Sequence, residues 1–421
     1  MIAPGYLHNW IRSNYKRLWP GRDKCPRFMG KNAILCCQQH HFFEFGKMLI
    51  ARMNKALDGD KQIPFQFAIL NLEEVGAWVV RSPECYGVLI SKKLLWKIQR
   101  ICYESWEAIP ETFDMPVKRS NFLRDLWGDM PLDSDYLMHF STLVGHVAFS
   151  FIVHHEVAHA GLGHLKPIHR QGVNAEVEAD SLEDVILDEF AGVMSNKLDS
   201  GDYLLKQALE TDADVHGMFY TRRLLREEAQ SLRGYRPNGN LMSHVWGKLL
   251  RDKDCEQLML FMGVAVGLLA LAPDLEADKF DISKLKTHPP IPSRLLLAFH
   301  VAGSIDGHAE KYWENRSAAI TMAIISIARF QGEGFRDPSA NTRAKDNYIS
   351  ENNQELSVAE QKWRELSYIS VIDASFRMSE IGSYWEDLVA CLCNIAPDLS
   401  RGEGFPESLH YEWYRSRGQD K

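Results

Sequence analysis

A predominantly helical α+β fold is predicted by three features of this 421-residue chain. Two short β-rich runs, Ala77 to Val80 and Tyr86 to Ile90, are joined by a Ser-Pro turn and predict a small sheet. Long stretches with apolar residues at helical spacing flank them on both sides. One of these, "LVGHVAFSFIVHHEVAHAGLGHL", carries an apolar segment straight into four closely spaced histidines.

The bulk properties narrow the functional classes. A chain of this length with 45% hydrophobic residues buries a real core and is expected to form two or three domains. The net charge of −8 is modest, and no run of Lys and Arg makes a phosphate-binding stripe, so no nucleic-acid partner is expected. Eight cysteines without paired CxxC spacing predict reduced thiols in a cytoplasmic protein rather than a disulfide scaffold or a structural zinc site. The N-terminal stretch "MIAPGYLHNWIRSNYKRLWP" has no continuous apolar segment of the signal-peptide kind.

Taken in order, residues 1–64 predict an N-terminal helical region, in which "ILCCQQHHFFEFGKMLIARMNKAL" has helical apolar spacing from Phe42 onward. His40 and His41 follow Cys36 and Cys37, but adjacent positions on a helix diverge and no fourth metal ligand is evident. The central region, 65–302, opens with the two β-rich runs, and a helix follows from about Ser91. The apolar, histidine-bearing helix comes next, with Asp133 or Ser134 as its N-cap. A polar, acidic insertion extends to about Ser200. The helix "YLLKQALETDADVHGMFYTRRLLREEAQSL" is then broken by "GYRPNGN".

The apolar run "LMLFMGVAVGLLALA", Leu258 to Ala272, falls short of the roughly 20 residues that span a bilayer. It predicts a core helix, and no stable membrane insertion is expected. "KTHPPIPSRLLLAF" supplies a rigid turn into a helix near Ser293. Residues 303–421 predict a helical C-terminal region with no chemistry that can be named. The "QGEGF" and "RGEGF" segments there are too brief to be a repeat.

The chemistry concentrates in His155, Glu156 and His159. Residues i and i+4 share a helix face, so the two imidazoles can point at one metal ion. Zinc suits imidazole and carboxylate donors and leaves a coordination position for water. Glu156, next to the first ligand, can reach that water and take its proton as general base. The motif ends an apolar segment, and buried imidazoles and a buried carboxylate need partners, which a metal supplies. Gly161 and Gly163 end the helix or permit close backbone approach. His146, His154 and His164 project elsewhere and are expected not to be ligands.

A third ligand should come from another element. "EVEAD", from Glu176 to Asp180, and "ETDAD", from Glu210 to Asp214, share one pattern. The first lies in an acidic run that reads as a solvated face. The second lies in an apolar-flanked helix, with Glu210 and Asp214 one turn apart on the same face. Glu210 is therefore the expected third ligand, and Asp214 the residue that accepts a hydrogen bond from a ligand histidine.

The ordered set HExxH, then ExxAD, then a His-Pro-Pro turn followed by Arg resembles the gluzincin metallopeptidases related to HtpX and the CAAX prenyl proteases. Upstream, "GAWVVRSPECYGVLISKKLL" is similar to their edge strand, turn and strand leading to a helix. It departs from them at Gly76-Ala77-Trp78 and at Lys93-Leu94-Leu95. Without transmembrane helices, and with Gly163 and His164 closing an HExxHxxxGH form, the chain looks closer to the soluble phage-exclusion peptidases of the Lit type. The resemblance covers about residues 65–300.

The resemblance implies a zincin-like metallopeptidase domain with one Zn2+ per chain, held by His155, His159 and Glu210, with Glu156 as base. It places Asp214 behind the ligands and His288 and Arg294 near the cleft. It makes the strand of Ala77, Trp78, Val79 and Val80 the edge to which an extended peptide adds. The implied substrate is an intracellular protein, such as a translation factor. The repressor-cleaving ImmA-like peptidases also carry HExxH and a later glutamate, but "THPPIPSR" and the long spacing from His159 to Glu210 fit them less well. A second class of reading is a zincin-fold regulatory or toxin-like protein that acts by association through its C-terminal region. Sequence leaves the oligomeric state open.

Overall fold

The two β-rich runs form the centre of a small mixed sheet in the computed structural model. The structure describes residues 5–19, 21–29, 37–56, 63–113, 134–162, 164–165, 187–188, 200–233, 245–247, 249–250, 253–271 and 294. Their elements in chain order are α1 (Tyr6–Leu18), β1 (Arg27–Phe28), α2 (Cys37–Ala56), β2 (Phe65–Asn71), β3 (Ala77–Arg81), β4 (Tyr86–Ser91) and α3 (Lys92–Phe113). They continue with α4 (Ser134–Gly161), β5 (Leu187–Asp188), α5 (Ser200–Arg233) and α6 (Lys253–Leu271). The described part is mostly helical, an α+β arrangement as expected. The region 303–421 and the His-Pro-Pro turn lie outside the described residues.

The strand order is β1-β2-β4-β3-β5. β3 and β4 pair antiparallel in the register Val79 to Val88, while β2 runs parallel to β4. Side chains alternate between the two faces, as the period of two requires. Ala77, Val79, Val88 and Ile90 join the main core with α2, α3, α4 and α6. Trp78, Val80 and Leu89 join a second cluster with Leu7, Ile11 and Leu18 of α1. Both faces of the sheet are thus covered by helices. The expected boundary at residue 64 falls between α2 and β2, which share one core.

β2 is a strand that the sequence reading did not contain. Its "FAIL" segment is apolar towards both faces, so it shows no alternation to betray a strand. The β3 edge needs correction. Trp78 and Val79 pair antiparallel with Asp188 and Leu187 of β5, so β3 is second from the edge. The backbone groups expected to receive an extended peptide are there engaged by a segment of the acidic insertion.

Ser91 ends β4 and starts α3. Its Oγ accepts the backbone N–H groups of Leu94 and Gly76, both at 3.1 Å, so one hydroxyl caps the helix and ties down the β3 entry. α4 begins at Ser134, and Asp133, the other candidate cap, lies outside the described residues.

α4 sits at the centre, packed against α2, α3, α5, α6 and the sheet. The apolar run expected to be a core helix is α6, which is inside the protein. It is long and apolar enough to cross a membrane, yet 89% of its apolar window is buried. Its glycines explain how closely it approaches α4. A Cβ on Gly263 would lie 2.3 Å from Val147 Cγ1, and one on Gly267 would lie 2.9 Å from the Phe151 ring. Among the described residues, Cys25, Cys85, Cys102 and Cys255 form no disulfide.

Candidate metal centre

The last turns of α4 carry His155, Glu156 and His159 into the interior, at 0%, 0% and 1% exposure. They are this deep because the helix is apolar all round from Val147 to Val157 except at Ser150 and at the histidines and Glu156 themselves. α5 lies alongside and comes close at Gly217. A Cβ there would lie 3.1 to 3.2 Å from the backbone N, Cα and Cβ of His155. The absence of a side chain at Gly217 is what lets the Glu210–Asp214 face of α5 reach the histidines.

Three donors converge. His155 Nε2 and His159 Nε2 are 3.0 Å apart. Glu210 Oε2 lies 3.3 Å from His155 Nε2, and Glu210 Oε1 lies 3.4 Å from His159 Nε2. Among the described residues these three form the one group able to hold a metal ion. Four-coordinate zinc at 2.0–2.1 Å from its donors sets neighbouring donors about 3.3 Å apart, so the spacing and the donor chemistry both fit zinc. Glu210 lies on the helix expected from sequence. Glu176 and His288 lie outside the described residues.

Behind His155, Asp214 Oδ1 stands 3.0 Å from Nδ1. The two groups are close enough for a direct electrostatic contact. Asp214 also receives Arg294, whose Nε donates to Oδ2 at 2.7 Å and whose Nη2 donates to Oδ1 at 2.8 Å. Burial alone would push this carboxyl's pKa up. Arg294, by charge and hydrogen bonds, and His155 outweigh that and hold it below the ordinary value. Asp214 and Arg294 thus stand together beside the three donors. Arg294 Nη2 is also 3.9 Å from Glu210 Oε2.

His146 and His154 stay outside the donor group, as expected. His154 Nδ1 pairs with the Thr221 hydroxyl at 3.1 Å, and burial lowers its pKa to about 3. His146 meets His41 through their Nε2 atoms, between the rings of Phe45 and Trp246. Burial, and then His41, lower the His146 pKa to about 3.

His164 is where the sequence reading fell short. It supplies no atom to the donor group, but its Nδ1 lies 2.9 Å from His159 Nδ1 and its Nε2 lies 3.2 Å from Asp212 Oδ2. The helix has already ended at Gly161, and a backbone bond from His164 N–H to His159 O at 2.9 Å turns the chain back, as in a Schellman closure. Helical directions therefore no longer apply at His164. Asp212, fully buried, also faces His216, with Oδ1 3.4 Å from its Nδ1. Gly217 and Asp212 carried no sequence signal beyond their place inside the ligand helix. Comparison of the chain with protein-family models, with curated proteins and with solved structures found no match.

Proposed function

We propose that this protein is a zinc-dependent endopeptidase that hydrolyses peptide bonds in an intracellular protein substrate. The observation that carries the reading is the convergence of His155 Nε2, His159 Nε2 and Glu210, with Glu156 one residue beyond the first donor on the same helix. The order of the HExxH, ExxAD and His-Pro-Pro-Arg segments, which resembles the gluzincins, supports it. So does Arg294, which joins the same ion-pair network through Asp214 and Glu210.

His155, His159 and Glu210 would hold the metal. Such an ion supplies a Lewis acid that polarises a carbonyl and makes water acidic near neutral pH. Glu156 is the general base. Its carboxylate accepts the proton of the attacking water as the new C–O bond forms, then passes it to the amide nitrogen, which leaves as the amine when the C–N bond breaks. Asp214 holds His155 by its Nδ1 side, and Arg294 holds Asp214.

The test pairs metal analysis of the purified chain with a search for new protein termini in cells expressing wild type or Glu156→Gln. The expected result is one zinc per chain in both and new termini only with wild type. New termini at equal levels in both would overturn the base assignment, and a chain without zinc would overturn the metal centre. Zinc without cleavage of any protein would favour the reading as an association protein.

A further inference from the structure

We infer that His164 and Asp212 are positioning residues that fix His159 from behind, through a hydrogen-bonded chain His159–His164–Asp212. The inference rests on the metal centre proposed above, and it adds residues that the motif logic of that centre does not use.

The argument is one of proton positions. An imidazole that gives Nε2 to a metal must carry its proton on Nδ1. His159 Nδ1 has His164 Nδ1 at 2.9 Å, so His159 donates and His164 accepts. His164 must then carry its own proton on Nε2, and that atom lies 3.2 Å from Asp212 Oδ2, an acceptor. Each ring nitrogen is left with a single role. On the far side, His216 Nδ1 donates to the Asp212 backbone O at 2.9 Å and approaches its Oδ1, which braces the carboxylate. His164 and Asp212 are 2% and 0% exposed, so water does not compete for these bonds. The two ligand histidines are thus supported differently. His155 faces the Asp214 carboxylate directly, with Arg294 behind that carboxylate, whereas His159 reaches its carboxylate through a second imidazole.

The chain also explains its placement. His164 is held to His159 by the backbone closure after α4, and Asp212 stands on α5 between the ligand Glu210 and the supporting Asp214. Packing α4 on α5 therefore sets both supports at once. Outer partners of metal-bound histidines raise ligand basicity and fix ring orientation, and losing one typically weakens metal binding about 10- to 100-fold.

The experiment measures zinc dissociation constants by competition with a chelator, and the visible spectrum of the cobalt(II)-substituted full chain, for wild type, His164→Leu and His164→Asn. Leu keeps an apolar volume but accepts no hydrogen bond. Asn can present its Oδ1 where His164 Nδ1 stood. His164→Leu should bind zinc about 10- to 100-fold more weakly and shift the cobalt bands, while His164→Asn should recover most of the affinity and the wild-type spectrum. Melting of the metal-free proteins separates a general loss of folding from this effect. Equal zinc affinity and identical cobalt spectra in folded His164→Leu and wild type would overturn the inference while leaving the metal centre standing. So would a His164→Asn variant as weak as His164→Leu. Failure of wild type to bind zinc would remove the metal centre itself, and the inference with it.

Discussion

Arg294 and Asp214, 80 residues apart, are joined at two points in the interior, with Nε 2.7 Å from Oδ2 and Nη2 2.8 Å from Oδ1. The pair links the segment carrying Arg294 to the ligand helix α5. It also sets the charge behind His155. Arg294→Met would leave a fully buried carboxylate without its fork of donors. Breaking a buried pair in this way costs about 3–5 kcal/mol. The Asp214 pKa should rise, because burial then outweighs what His155 alone offers. Urea unfolding should show the loss, with zinc affinity reduced as well. Unchanged unfolding midpoints would mean that the pair is dispensable.

Glu156→Gln isolates chemistry from structure. Gln occupies the same space in a position with no exposure to solvent, but it cannot take a proton from water. The variant should keep one zinc per chain and a wild-type melting temperature while losing peptidase activity by a factor of 100 or more, about the typical contribution of a general base. Cleavage of the cellular substrate at near wild-type rate would show that Glu156 is not the base.

Several parts of this arrangement were legible in the sequence for identifiable reasons. β3 and β4 announce themselves by β-branched runs around a Ser-Pro turn, and α6 by a continuous apolar stretch without a charge. Glu210 could be preferred over Glu176 because apolar residues on both sides of it hold its helix in place. What escaped depends on contacts between elements. β2 is buried on both faces and lacks alternation, so period-two reasoning passes over it. The pairing of β5 with β3 joins segments about 110 residues apart, and two residues of strand carry no propensity signal. The direction that helical geometry predicts for His164 does not hold, because the position lies beyond the helix end. Gly217 reads as a weak point in a helix until α4 is seen against it.

Gly217→Ala tests that close approach. The added methyl would sit 3.1 to 3.2 Å from three atoms of His155, two of them backbone in the middle of the core, so α4 and α5 must separate by a few tenths of an ångström. Alanine favours the helix intrinsically by about 1 kcal/mol over glycine, so an exposed site would be stabilised. Here overpacking of about 1–3 kcal/mol should win. The expected outcome is a lower melting temperature together with weaker zinc binding, since Glu210 is drawn away from both histidines. A more stable variant with unchanged zinc affinity would show that the helices have room.

Acid should destabilise the fold through His146. Its pKa in the folded protein is about 3, against 6.5 for the ordinary group. Below pH 6.5 the unfolded chain therefore takes up a proton that the folded chain refuses until about pH 3. Stability is fully present above 6.5 and falls as pH drops through that window, by up to about 1.4 kcal/mol per pH unit. His41 faces the same ring, and the aromatic rings of Phe45 and Trp246 offer no compensating charge. Denaturant unfolding of wild type and His146→Gln between pH 7 and 4 should show a shallower pH dependence in the variant. Parallel curves would contradict the assignment.

Glu210→Ala addresses the ligand set itself. Both oxygens of Glu210 face the histidines, Oε2 at 3.3 Å from His155 Nε2 and Oε1 at 3.4 Å from His159 Nε2. Removing the carboxylate leaves two imidazoles and takes away the anionic donor of the group. It also removes the counter-charge that Arg294 meets at 3.9 Å, which places a cation near a site meant for a cation. Both effects disfavour zinc. The loss should therefore exceed that from His164→Leu, and activity should vanish with the metal. Glu176→Ala, in the acidic run that the sequence predicts to be a solvated face, should leave zinc binding and activity close to wild type. Zinc titration of the two variants side by side decides the matter. If Glu176→Ala loses the metal and Glu210→Ala retains it, the third ligand comes from the acidic insertion, and the α4–α5 packing must be given a different purpose.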